Sequence, residues 1–102
     1  MIKVLIKENV IKISGHAGFN NYGSDIVCAS VSSIVYTTIN GILNINENAI
    51  RFTDEKDLEI TILDNDLITK KLINSMIDLL KDLAEQYPKN MKISKGEWTC
   101  YL

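Results

Sequence analysis

The chain has 102 residues, 46% of them hydrophobic and 24% charged, enough for one modest core and too little for two. Its formal net charge of −2 argues against a dominant nucleic-acid or anionic-membrane surface, because phosphate binding draws on clustered Lys and Arg and the eleven basic residues here are scattered. No apolar run is expected to reach the roughly 18 to 20 residues of a membrane span, charge at Lys3 and Lys7 comes too early for a secretory leader, and the expected location is the cytoplasm.

Residues 2–7 are rich in Ile, Val and Leu, and Glu8-Asn9 supplies a polar turn. Residues 10–16 then alternate, with Ile11 and Ile13 set against Lys12 and Ser14, so the first 16 residues read as a hairpin that delivers His16 at its exit. Gly18, Asn20, Asn21 and Gly23 tolerate left-handed backbone and mark 17–23 as a loop that carries Phe19 and Tyr22. Ser24 is the expected N-cap of a helix running from Asp25 to about Gly41, with apolar residues at helical spacing through Val27, Val31, Ile34, Val35 and Ile42. Alternation at 48–53 and 58–63 around the charged turn Asp54-Glu55-Lys56-Asp57 predicts a second hairpin. Ile68, Leu72, Met76, Leu79, Leu80, Leu83 and Tyr87 predict an amphipathic helix from about Asp66, stopped by Pro88, and Met91–Lys95 a last strand. The order ββαββαβ is α+β, with a mixed sheet and two helices packed on it, over one domain spanning residues 1–102.

The lone histidine, His16, precedes Cys28 by twelve residues. A thiol is a strong nucleophile only as thiolate, and an imidazole titrating near neutrality is the side chain suited to take its proton. Asp25, Cys28 and Ser32 stand at i−3, i and i+4 on one helical face. With the helix starting at Asp25, Cys28 would sit at the positive end of the macrodipole, and backbone N–H groups there, its own included, would be candidates for an oxyanion hole. Asp25 either orients the imidazole or answers the helix dipole, and Phe19 and Tyr22 either line a substrate groove or pin the loop to the core. Read singly, Cys28 is equally a small buried hydrophobe and His16 a strand-end residue with satisfied hydrogen bonds.

Two cysteines 72 positions apart make no disulfide framework, Cys-x-x-Cys pair or zinc-ligand spacing, so no metal or other cofactor is expected. Cys100, beside Trp98 and Tyr101, reads as a packing residue; a redox pair with Cys28 is the competing use. Lys70-Lys71 and the turn 54–57 read as solvated faces.

Gly15-His16-Ala17, a glycine-containing loop, then Asp25-Ile26-Val27-Cys28-Ala29 with Val31-Ser32 resemble the signature of the bacterial ribosomal-processing cysteine proteases, the Prp or YsxB-like family. Leu83-Ala84-Glu85-Gln86-Tyr87-Pro88 is a weaker, structural likeness, and Ser30 stands where many relatives carry a second alanine. The resemblance implies a cysteine endopeptidase with Cys28 as nucleophile and His16 as general base. Asp25, Ser32 and Gly15 would support them, and Ala17, Gly18, Phe19, Tyr22 and Gly23 would form the substrate-binding loop. It implies removal of an N-terminal extension from large-subunit ribosomal protein number twenty-seven, with the cut after paired aromatics, by a homodimer; from charge and hydropathy, no direct nucleic-acid binding and no membrane are expected. The competing function is a non-catalytic, ribosome-associated module that binds a peptide by strand addition at a sheet edge.

Overall fold

The computed structural model describes residues 1–15 and 22–95, residues 22–25 by their backbone alone. Two short strands, β1 (Ile2–Ile6) and β2 (Val10–Ser14), form the first hairpin, with the Lys7 N–H donating to the Val10 carbonyl across the Glu8-Asn9 turn. Helix α1 (Tyr22–Ile45) follows, then β3 (Ile50–Thr53), β4 (Leu58–Ile62), helix α2 (Leu67–Gln86) and β5 (Met91–Lys95). The sheet order is β3-β4-β2-β1-β5, antiparallel except for the β1–β5 pair. This is the expected ββαββαβ arrangement of an α+β mixed sheet with two helices.

Alternation within the strands decides which face is covered. Ile2 and Val4, Ile11 and Ile13, Ile50, Ile60 and Met91 are buried, while Lys3, Arg51 and Lys92 between them are exposed. The helices supply Val27, Val31, Val35, Ile39 and Ile42 from α1 and Ile73, Met76, Leu80 and Leu83 from α2, so one contiguous core lies between the two layers.

The first helix departs from its predicted bounds at both ends. It begins at Tyr22, three residues before Asp25, so Ser24 lies inside the helix rather than capping it. It also runs through Gly41 to Ile45. A glycine costs an interior helix about 1 kcal/mol, but Ile39 and Ile42 on either side are buried to 1% exposure or less, and their burial outweighs that cost. Asn46 ends the helix instead. Its N–H donates to the Ile42 carbonyl and its side-chain Oδ1 accepts the Asn48 N–H at 3.0 Å, turning the chain toward β3.

Between Asp25 and Glu47 there is no charged residue, and Ile26–Ile45 is long and apolar enough to cross a membrane by length and composition alone. This corrects the expectation that no run reaches that length. Interspersed Ser, Thr and Asn obscured it, and Thr38 shows how such residues are accommodated, its hydroxyl donating to the Ile34 carbonyl at 2.8 Å. In the fold the apolar stripe of this helix is core against the sheet.

Helix α2 matches its predicted range. Asp66 is the N-cap, its carboxylate accepting the Thr69 N–H at 2.9 Å, and Tyr87 closes the other end before Pro88.

Candidate active site

Strand directions bring six chain segments to one end of the sheet. β2 ends there, β3 runs parallel to it and ends there too, and β1, β4 and β5 begin there. Helix α1 starts from the same end. Between its first half and this sheet end lies a cavity of about 300 Å³. The helix contributes Cys28, Val31, Ser32, Val35 and Tyr36, β1, β2 and the residue after β2 contribute Ile2, Ile13, Ser14 and Gly15, and the β3–β4 turn with the start of β4 contributes Asp54, Lys56, Asp57 and Leu58. The volume is at the small end of ligand pockets, and its wall mixes an apolar floor with a few polar groups, as such sites do.

Cys28 is a free thiol, half-buried and packed against the edge of the core while lining the cavity. A sulfur sealed in the interior would be inert; this one has a side open to a ligand. Ser32, one helical turn on, lines the same cavity and is exposed. Val31, one of the apolar residues at helical spacing, reaches both the core and the cavity floor.

Gly15 is the last described residue before His16 and lies on the cavity rim. Its φ is +84°, in the left-handed region where a Cβ is disfavoured. A Cβ there would also press into the Met1 backbone carbonyl oxygen. Only glycine lets the chain leave β2 and turn along this path, so the residue bonded to His16 is fixed by two independent constraints. His16, Ala17, Gly18 and Phe19 lie outside the described residues, as do Trp98, Cys100 and Tyr101. Tyr22, Gly23 and Asp25 are placed as helix backbone only.

The helix start revises one electrostatic expectation. Counting from Tyr22 as first, Cys28 is the seventh helical residue. Its N–H therefore has an intrahelical acceptor, the Ser24 carbonyl, and is not one of the free donors of the first turn. The macrodipole effect falls off within that turn. The helix tip thus contributes neither an oxyanion donor from Cys28 itself nor the full positive end expected from a start at Asp25.

Sequence reasoning passed over Tyr36 and Asp54. The Tyr36 hydroxyl donates to Asp54 Oδ2 at 2.7 Å, and its ring meets Phe52 edge-on with centroids 6.2 Å apart. The hydrogen bond to Asp54 first, then partial desolvation and the Asp54 charge, raise the Tyr36 phenol above its ordinary value of 10.0. Protonation of the phenol is thus favoured, and the hydroxyl remains a donor until the pH climbs past the usual tyrosine range. Spacing could have shown Tyr36, which stands eight residues after Cys28 on one helical face with Ser32 between. Asp54 carried no such signal, because only strand pairing brings the β3–β4 turn beneath α1. The turn is therefore not simply a solvated face; Asp57 also lies 3.6 Å from the Lys12 ammonium.

The family model for cysteine protease Prp matches residues 1–92. Among curated relatives, a ribosomal processing cysteine protease Prp from Mycoplasma genitalium is 30% identical over 101 residues, covering 96% of this chain and 99% of the relative. The Mycoplasma pneumoniae protein of the same name is 35% identical over 94 residues, covering 87% and 89%. In fold, the chain is similar to an essential ribosomal processing protease Prp from S. aureus solved with a substrate peptide, with a TM-score of 0.85 at 24% identity over 94% of this chain and 100% of that one. The same enzyme with a covalently linked product peptide gives 0.84. With the free thiol on the cavity wall and a family match over nine-tenths of its length, the chain belongs to the Prp family of cysteine proteases.

Proposed function

We propose that this protein is an endopeptidase that removes the N-terminal extension of large-subunit ribosomal protein number twenty-seven, with Cys28 as nucleophile and His16 as general base. The observation that carries the reading is the half-buried Cys28 thiol on the wall of an open cavity whose rim includes Gly15, the residue bonded to His16. The relatives named as ribosomal processing proteases support the substrate class.

The chemistry follows from the two side chains. His16 takes the Cys28 proton, and the thiolate sulfur attacks the scissile carbonyl carbon, moving the carbonyl electrons onto oxygen. When that tetrahedral oxyanion collapses, the C–N bond breaks, the imidazolium gives its proton to the leaving amine, and a thioester remains on Cys28. Water, deprotonated by the same imidazole, attacks the thioester and frees the carboxylate product and the thiol. Because the Cys28 N–H is occupied within the helix, the Ser32 hydroxyl on the same wall is our candidate donor to the oxyanion. Asp25 would orient His16. Ala17, Gly18 and Phe19, with Tyr22 and Gly23 of the first turn of α1 rather than of the expected loop, would cover the peptide, and the apolar floor of Ile2, Ile13, Val31 and Val35 would take an aromatic side chain of the substrate. The enzyme would act without a cofactor, as a cytoplasmic homodimer.

The test is to incubate the protein with a synthetic peptide spanning the extension and the mature N-terminus, and to locate any cut by mass. A single cut after the paired aromatics, lost on Cys28→Ala and on His16→Ala, is the expected result. Undiminished cutting by either variant would remove that residue from the mechanism. Binding without cutting by the unaltered chain would favour a peptide-binding module.

A further inference from the structure

We infer that Tyr36 and Asp54 form a latch that holds the β3–β4 turn against α1 and so sets the shape, and with it the substrate affinity, of the cavity beside Cys28; both are positioning residues. The inference rests on the proposed protease reading for its kinetic test and on geometry alone for its structural one.

The β3–β4 turn, residues 54–57, is exposed over most of its length and stands between two short strands at the edge of the sheet. Such a turn has few contacts of its own to fix it. Among the described residues, two side-chain contacts do so. Asp57 lies 3.6 Å from the Lys12 ammonium, which ties the turn sideways to β2 within the sheet. Asp54 accepts the Tyr36 hydroxyl at 2.7 Å, which ties it upward to the helix that carries Cys28. The second contact spans the cavity, since Tyr36 and Asp54 both line it from opposite layers. The Tyr36 ring is held in turn by its edge-on contact with Phe52 on β3, so the hydroxyl is presented at a set height above the sheet. Losing the bond would leave the ring packed and the core intact while freeing one wall of the cavity. Cys28 lies two helical turns away, so its chemistry would be untouched. Substrate binding therefore should respond and bond cleavage should not.

The experiment compares Tyr36→Phe, Asp54→Ala, Asp54→Asn and the Tyr36→Phe/Asp54→Ala double variant in the full chain, with the precursor peptide as substrate. Tyr36→Phe and Asp54→Ala are expected to raise KM by about three- to tenfold with kcat within about twofold. Asp54→Asn keeps an oxygen that accepts the phenol and should restore most of the affinity. The double variant should match either single one, since both remove the same bond. Independently of any substrate, amide hydrogen exchange at residues 54–58 should quicken in Tyr36→Phe and Asp54→Ala but not in Asp54→Asn, while alkylation of Cys28 by iodoacetamide stays unchanged. Equal exchange in all variants, an unchanged KM in Tyr36→Phe, or additive effects in the double variant would overturn the latch. If the unaltered protein cuts no precursor peptide, the proposed substrate fails, and the exchange experiment still decides the latch by the same pattern.

Discussion

The two helices cover the same sheet face and touch each other, yet they are built for different tasks. Helix α2 keeps charge apart from its core stripe: Ile73, Met76, Leu80 and Leu83 face the core, Lys and Asp face water together with Leu67, Ile68 and Leu79, and a carboxylate caps its start. Helix α1 has no such division. After Asp25 it is uncharged to its end, and Cys28, Ser32 and Tyr36 occupy the flank between core and solvent where α2 carries charge. Half-burial lets a thiol and hydroxyls face a ligand while the rest of the helix stays anchored, and a charged flank would fill that space with solvated side chains. A scaffold helix and a site helix thus differ in what fills the border of the apolar stripe.

Substitutions can break this contrast in order of expected effect. Cys28→Ala should lower kcat/KM for the precursor peptide by about a thousandfold or more while moving unfolding stability by less than about 1 kcal/mol, as read by peptide cleavage and denaturant titration. Comparable losses in both measurements would mean that Cys28 is only a packing residue. Gly15→Ala should cost activity about a hundredfold through displacement of the chain leading to His16, since its φ of +84° and the nearby Met1 carbonyl leave no room for a methyl group. Steady-state cleavage measured well below the melting temperature reads this out, and wild-type activity would disconnect the β2 exit from the site.

On α2 the expected direction reverses. Leu80→Ala, at a fully buried position, should destabilise the fold by about 2 to 5 kcal/mol, seen in urea unfolding, with near-normal kcat for the fraction that stays folded. Gly41→Ala is the smallest change and the only stabilising one. No heavy atom beyond the helix's own lies near the added methyl, so helix propensity alone should contribute about 0.5 to 1 kcal/mol, raising the melting temperature without altering cleavage.

The same contrast explains what could be read in the sequence. Helix α2 was legible to within about a residue at each end because its period and Pro88 agree, Asp66 and Tyr87 proving to be its caps. The hairpins were legible because Ile11 and Ile13, or Ile50 and Phe52, alternate with polar neighbours. The bounds of α1 were not, since Gly41 is a breaker only where burial does not compete, and Ile42 beyond it is buried. The misplaced start mattered most, because it had put Cys28 at the helix tip. Within the site, Cys28 and Ser32 were visible from spacing and Gly15 from the family resemblance, and the three lie together on the cavity wall, whereas Asp54 is brought there by the pairing of β4 with β2, a long-range fact that no local pattern encodes.

The central claim is that the Cys28 sulfur attacks the peptide. Treating the protein with a peptidyl chloromethyl ketone built on the residues that precede the proposed cut, then digesting it and mapping the adduct by mass, tests that claim directly. The account predicts one adduct, on the peptide bearing Cys28, with activity lost in proportion to labelling. Labelling at another residue with loss of activity, or full activity after Cys28 is alkylated, would contradict it.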